Sequence, residues 1–151
     1  MKQKKILQKK NNYKSKQKAK FELSAGGIVY NPKLDKVLVI EYQDGRISFP
    51  KGHNEKGESM IETAKRETTE ETGVKKLQFI AKIGEVTYFF KLHDEFIFKK
   101  VVYFLFKTSD IKTKPQLSEI KTARFKTFDE AQNLITFKNL MPLLKKSKKL
   151  L

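Results

Sequence analysis

Bulky apolar residues are nearly absent from positions 1–20, where Ile6, Leu7 and Tyr13 stand almost alone; from Phe21 onward they recur in runs. Residues 21–30 read as a strand with Gly26-Gly27 inside it, and paired glycines in a strand mark a bulge or the close approach of another backbone. Asn31-Pro32 ends that run, residues 37–42 form a β-branched one, Asp44-Gly45 signals a turn, and 47–49 lead into Pro50. Residues 77–90 and 96–108 read as two long strands rich in aromatic and β-branched side chains, with Phe89, Phe90, Phe104 and Phe106 expected in the core. His93-Asp94-Glu95 lies between them as a polar hairpin loop, and 123–126 reads as a short strand. Residues 59–72 read as a helix, because Ser59 with Glu62 three positions on forms a capping box and Gly73 supplies a C-terminal stop. Ile61, Ala64 and Thr68 give that helix a narrow buried stripe. A second helix is expected over 128–135, with Asp129 and Glu130 where the helix dipole favours acids. A third is expected over 139–146, with Asn139 as N-cap and Pro142 in its first turn. The whole is an α+β layered arrangement.

The chain has 151 residues, the size of one domain, with 21–151 as its body and 1–20 as a tail. Nine lysines and no acid fall in residues 1–20, a composition that cannot bury enough surface to offset its ordering entropy. The tail is expected to be disordered, with weak nucleic-acid contact as its functional reading. There are no cysteines, so disulfides and thiolate metal sites are excluded. No apolar run approaches the roughly 20 residues needed to cross a bilayer, and no hydrophobic stretch follows the basic N-terminus as in a signal peptide. A cytoplasmic protein is expected. Its formal net charge of +16 favours anionic partners.

The candidate chemistry sits between Gly52 and Val74. Glu67, Glu70 and Glu71 fall at i, i+3 and i+4 of the expected helix, which brings three like charges to one face. Such a cluster repels itself unless a cation neutralises it. Oxygen-only ligands suit a hard divalent ion, Mg²⁺ or Mn²⁺. An ion of that kind bridges phosphate oxygens and acidifies bound water. Gly52 and Gly57 permit close backbone approach, and Arg66 is placed to orient a carboxylate through paired hydrogen bonds.

This stretch resembles the signature of the Nudix hydrolase family: Gly52, Glu58, Arg66, Glu67, Glu70, Glu71, Gly73 and Val74 match it at the family spacing. The departure is Thr68, where the family prefers an aliphatic; its hydroxyl is expected to bond the carbonyl of Ala64. The resemblance implies an α/β/α sandwich around a mixed sheet and hydrolysis of substrates in which a nucleoside diphosphate is linked to another group. It implies that Glu67, Glu70 and Glu71, with the Gly52 carbonyl, bind metal, that Glu58 and Arg66 support the loop–helix geometry, and that the base is Glu67 or, from outside the motif, Glu119.

Outer motifs (residues 24–30, 49–53, 83–88 and 98–103) resemble the bis(5′-nucleosyl)-tetraphosphatase branch, which implies cleavage of diadenosine tetraphosphate to ATP and AMP. Lys51, His53 and Lys99 are then candidates to balance the phosphates, and Tyr88 or Tyr103 to stack on adenine. The rival activities are clearance of unusual nucleoside triphosphates and pyrophosphohydrolysis at an RNA 5′ end. The rival without catalysis is a nucleotide- or RNA-binding module, against which the self-repelling triad argues.

Overall fold

The computed structural model describes residues 19–151, so the expected tail lies outside the described residues except for its last two positions. Seven strands form one sheet: β1 (Lys20–Asn31), β2 (Lys36–Tyr42), β3 (Ile47–Ser48), β4 (Lys51–His53), β5 (Gln78–Leu92), β6 (Glu95–Lys107) and β7 (Ile120–Lys126). The sheet path is β3-β2-β1-β6-β5, with β4 added to β1 and β7 to β2. Among the described residues only β1 and β6 run parallel, from Lys20 opposite Ile97 to Tyr30 opposite Lys107. β1 is buried from Ser24 to Val29 because both its faces are covered, which is why its sequence is a nearly continuous small and apolar run.

Helix α1 (Met60–Thr72) covers one face of the sheet, packing Ala64, Met60 and Ile61 against Ala25, Val29, Val102 and Phe104. Helices α2 (Phe128–Leu134) and α3 (Met141–Leu150) cover the other, where Ala131, Leu143 and Leu144 meet Ile28, Val101 and Leu105. This is the α/β/α sandwich that the resemblance implied. Among the described residues no helix is long and apolar enough to cross a membrane.

The caps of α1 form as its sequence dictates: the Ser59 hydroxyl accepts from the Glu62 N–H, the Glu62 carboxylate accepts from the Ser59 N–H, and Gly73 adopts φ 77°. α3 begins later than expected. Lys138–Leu140 is a 3-10 turn containing Asn139, Leu140 is the N-cap, and Pro142 lies in the first turn of the helix. The loop between β5 and β6 is shorter than expected. Leu92 already pairs with Glu95, so His93 (φ 48°) and Asp94 (φ 63°) alone make a two-residue turn of the type whose twist suits a hairpin.

The paired glycines mark close approach. A Cβ on Gly26 would lie 2.5 Å from the Pro50 carbonyl oxygen and 2.6 Å from the Tyr103 ring, and the Gly27 N–H donates to that same carbonyl at 3.0 Å. Short strand β4, for which Lys51-Gly52-His53 has no propensity signal, exists through this approach, antiparallel to Ser24–Gly26.

Two expectations are corrected. The Thr68 hydroxyl does not bond Ala64; it is buried with no partner among the described residues, in the space a Gly27 side chain would need. The intrahelical bond is made instead by Thr72, whose hydroxyl donates to the Thr68 carbonyl at 2.6 Å. Thr68→Val removes an unsatisfied buried hydroxyl at nearly constant shape, so it is expected to stabilise the protein by about 1 kcal/mol. That corresponds to a Tm higher by about 2–4 °C; a lower Tm would show that the hydroxyl has a partner. The second correction concerns Phe89 and Phe90. Phe104 and Phe106 are core, but Phe89 and Phe90, which point to opposite faces, are exposed, because the β5–β6 hairpin runs on past the helices that cover the rest of the sheet.

Candidate active site

The loop before α1 is folded around one carboxylate. Glu58 accepts from Arg66 Nε at 2.7 Å and Arg66 Nη2 at 3.0 Å, from the Glu55 N–H at 3.0 Å and from the Thr63 hydroxyl at 3.0 Å. The Arg66 guanidinium, with the backbone and hydroxyl donors, holds Glu58 down to about 2, well below the usual carboxylate range. Asn54 ties the loop to the sheet, donating its N–H to the Leu23 carbonyl and its amide group to Thr63 and the Glu58 carbonyl. Arg66 has donors left over. Nη2 reaches the His53 carbonyl at 2.9 Å, and Nη1 reaches Glu67 Oε1 at 2.9 Å and Glu70 Oε2 at 3.2 Å. One guanidinium therefore pins loop, strand β4 and helix α1 together.

Glu67, Glu70 and Glu71 line one pocket with Tyr42, Lys51, Gly52, His53, Lys99, Gln116 and Glu119. Their environments differ. Glu70 is half exposed, Glu67 is largely covered, and Glu71 is 4% exposed. The Glu67 carboxylate lies against Gly52 where any Cβ would collide with it. Burial pushes Glu67 up from the usual range, and its bond to Arg66 opposes that rise. Burial pushes Glu71 further, to about 8, reinforced by the charge of Glu67 and opposed by Lys51. Glu71 Oε2 is buried with no hydrogen-bond partner among the described residues. Facing these acids, Lys51 is lowered to about 8, first by burial and then by the neighbouring Lys99.

A hard cation suits this donor set: an orphaned carboxylate oxygen, two further carboxylates beside it and a glycine that keeps Cβ bulk away. As the side chains stand, no three acidic or imidazole groups among the described residues are gathered closely enough to hold one. Glu67 and Glu70 are both turned to Arg66. Glu67 and Glu70 would have to exchange Arg66 for the ion.

Glu119 reaches the pocket on the loop between β6 and β7. That loop is fastened to the end of α1, Lys114 and Gln116 donating their N–H groups to the carbonyls of Thr72 and Glu71, and to the residue after β2, Gln43, whose N–H donates to the Glu119 carbonyl. His53 stands at the rim, its Nε2 3.6 Å from Glu22. Tyr88 lies beyond Lys99, its partner in register, with its ring 6.1 Å from Phe137 in an edge-on arrangement. Tyr103 offers no stacking surface. It is fully buried with its edge toward Phe49 at 6.2 Å, a floor beneath Gly26. Sequence reasoning missed Tyr42, Gln116, Glu22 and Phe137. Each comes from a different strand or loop: Tyr42 and Gln116 line the pocket with the glutamates, Glu22 faces His53 and Phe137 faces Tyr88, contacts that only long-range packing makes.

The raised Glu71 gives a pH dependence. In the unfolded chain it releases its proton near 4.5, and in the folded chain near 8, so between those values the folded state holds more protons and stability falls as pH rises. Glu67 adds in the same direction. Lys51, lowered, acts with the opposite sign but only above about 8. Thermal unfolding in EDTA is expected to give a higher Tm at about pH 5.5 than at about pH 8, and saturating Mg²⁺ to restore the loss at the higher pH. Equal Tm values without metal would show that Glu71 is ionised throughout.

Comparison with known proteins places residues 20–146 in a match to the NUDIX domain. The chain is similar to rat bis(5′-nucleosyl)-tetraphosphatase [asymmetrical], 34% identical over 123 residues, covering 75% of this chain and 81% of the rat protein. Among solved structures it resembles the Caenorhabditis elegans Ap4A hydrolase, with TM-score 0.67 and 21% identity, covering 86% of this chain and 98% of that one. It also resembles the Escherichia coli dihydroneopterin triphosphate pyrophosphohydrolase, with TM-score 0.70 and 16% identity over 85% and 97% of the two chains.

Proposed function

The chain belongs to the Nudix hydrolase family, and from that premise we propose that it cleaves diadenosine tetraphosphate by water attack near one end of the phosphate bridge, giving ATP and AMP. The observation that carries this reading is that one pocket brings the carboxylates of Glu67, Glu70, Glu71 and Glu119 together with Lys51, Lys99 and His53. A long polyphosphate carries more charge than one cation balances, and lysines beyond the acidic cluster meet the remainder. The name of the rat relative supports the same substrate class.

Glu67, Glu70 and Glu71, with the Gly52 carbonyl, would hold Mg²⁺ or Mn²⁺. Bound there, a divalent ion draws charge from the phosphate oxygens and acidifies water. The chain's own residues do the rest. Glu67, its Oε1 exchanged from Arg66 to the ion, would keep Oε2 to accept the proton of the attacking water. Its raised affinity for a proton suits that task. Glu119 approaches from the opposite loop and is the second candidate base. Arg66 acts by positioning, because it holds the Glu58 loop and β4 to α1 through the Glu58 carboxylate and the His53 carbonyl. Lys51 and Lys99 bind the phosphates, and Tyr88 beside Phe137 gives adenine an aromatic surface.

The test is a panel of diadenosine tetraphosphate, nucleoside triphosphates and 5′-triphosphate RNA with Mg²⁺, resolved by ion-exchange chromatography. ATP and AMP in equal amounts from the first, at the highest kcat/KM of the panel, is the expected result. Two ADP per substrate, or preferential release of pyrophosphate from a triphosphate, would refute the assignment.

A further inference from the structure

The extension of the β5–β6 hairpin past α1 leaves a face unlike the rest of the surface. Phe21 is 57% exposed and Phe89 64% exposed, and exposed apolar residues that gather into one patch, unlike single ones, mark an interaction site. Register puts them on one face: Phe21 and Phe89 both stand opposite Phe98, and Phe96 lies opposite Lys91. The rings are arranged in two nearly parallel pairs, Phe21 with Phe98 at 5.9 Å and 24° and Phe89 with Phe96 at 5.5 Å and 16°. Lysines flank them on the same face. Lys91 Nζ lies 5.7 Å over the Phe96 ring, and Lys100 follows Phe98 two residues along β6. Their acidic neighbours, Asp94 at 3.7 Å from Lys91 and Glu85 at 2.7 Å from Lys100, form part-exposed pairs of the kind that contribute little and exchange readily. Directly before Phe21 the sequence carries nine lysines and no acid in twenty residues.

We propose that this face, Phe21, Phe89, Phe96 and Phe98 with Lys91 and Lys100, is a platform for single-stranded nucleic acid, outside the catalytic pocket and independent of the reaction assigned above. Flat apolar rings set among cations match the two parts of an unpaired strand: bases to stack and phosphates to neutralise. A second copy of the chain is the poorer fit, since each copy brings a net charge of +16 to the contact. A duplex fits poorly as well, because its bases are already stacked.

The experiment is fluorescence anisotropy of the full chain with a 3′-labelled single-stranded RNA bearing a 5′-hydroxyl, in EDTA, so that the catalytic pocket is not engaged. Phe89→Ser and Phe21→Ser are each expected to weaken binding about tenfold without changing the slope of log K against log salt, because they remove stacking and not phosphate contacts. Phe89→Tyr should retain binding, a duplex of equal length should bind more weakly and be indifferent to Phe89→Ser, and hydrolysis should be unchanged in all three variants. Unaltered RNA affinity in the serine variants would overturn the proposal. So would an equal loss on the duplex, a dimer in sedimentation that Phe89→Ser dissolves, or tighter binding to phosphatidylserine vesicles that the same change abolishes.

Discussion

Glu70→Gln is expected to lower kcat by about a hundred- to a thousandfold, the scale on which one lost electrostatic partner at a reacting centre is felt. The substitution keeps shape and removes charge. Glu70 is half exposed, and its bond to Arg66 at 3.2 Å is the longest of that guanidinium's hydrogen bonds to carboxylates, so the fold should change by less than about 1 kcal/mol. Mg²⁺ titration should show a raised half-saturating concentration together with the loss in kcat, since a neutral amide is a poorer partner for a hard cation. A variant with nearly normal turnover would remove Glu70 from the metal site and leave Glu67 and Glu71 to carry it.

Gly52→Ala tests the same site from the backbone side. A methyl at Gly52 collides with the Glu67 carboxylate, the free end of a side chain, so Glu67 moves and the backbone need not. Displacement of a reacting group by about 1 Å costs on the order of a hundredfold, and that loss in kcat is expected here with a Tm close to that of the parent. Gly26→Ala makes the instructive contrast. Its methyl meets the Pro50 carbonyl oxygen and the Tyr103 ring, neither of which can step aside, so it should cost stability before it costs activity. If Gly52→Ala kept full activity, Glu67 would not be at the reacting centre.

The helix carrying the glutamates was legible to the residue, since its start and stop are local: Ser59 with Glu62, and Gly73. The long hairpin strands were legible from composition. Strand β4 was not, because Lys-Gly-His becomes a strand only when Gly26 and Gly27 admit Pro50 to the edge of β1. Periodicity placed Glu67, Glu70 and Glu71 together, but it gave them equal standing. Their separate characters depend on what packs over each, Gly52 on Glu67, solvent on Glu70 and the β6–β7 loop near Glu71. Tyr103 and Phe89 were misread for one reason. Strand alternation tells which residues share a face, but not how far along the strand a covering helix extends.

The parallel union of β1 with β6 also sets an order of assembly. β1 ends at Asn31 and its longest-paired neighbour begins only at Glu95, so during synthesis the first strand emerges long before the chain that completes it. Closing such a distant register is entropically slow, whereas α1 and the β5–β6 hairpin close locally and early. The floor beneath the glutamates, built from β1, β4 and β6, thus forms only after these local units. A ribosome-stalled chain cut before β6 should carry the whole signature stretch and yet have no competence to gather its three acids.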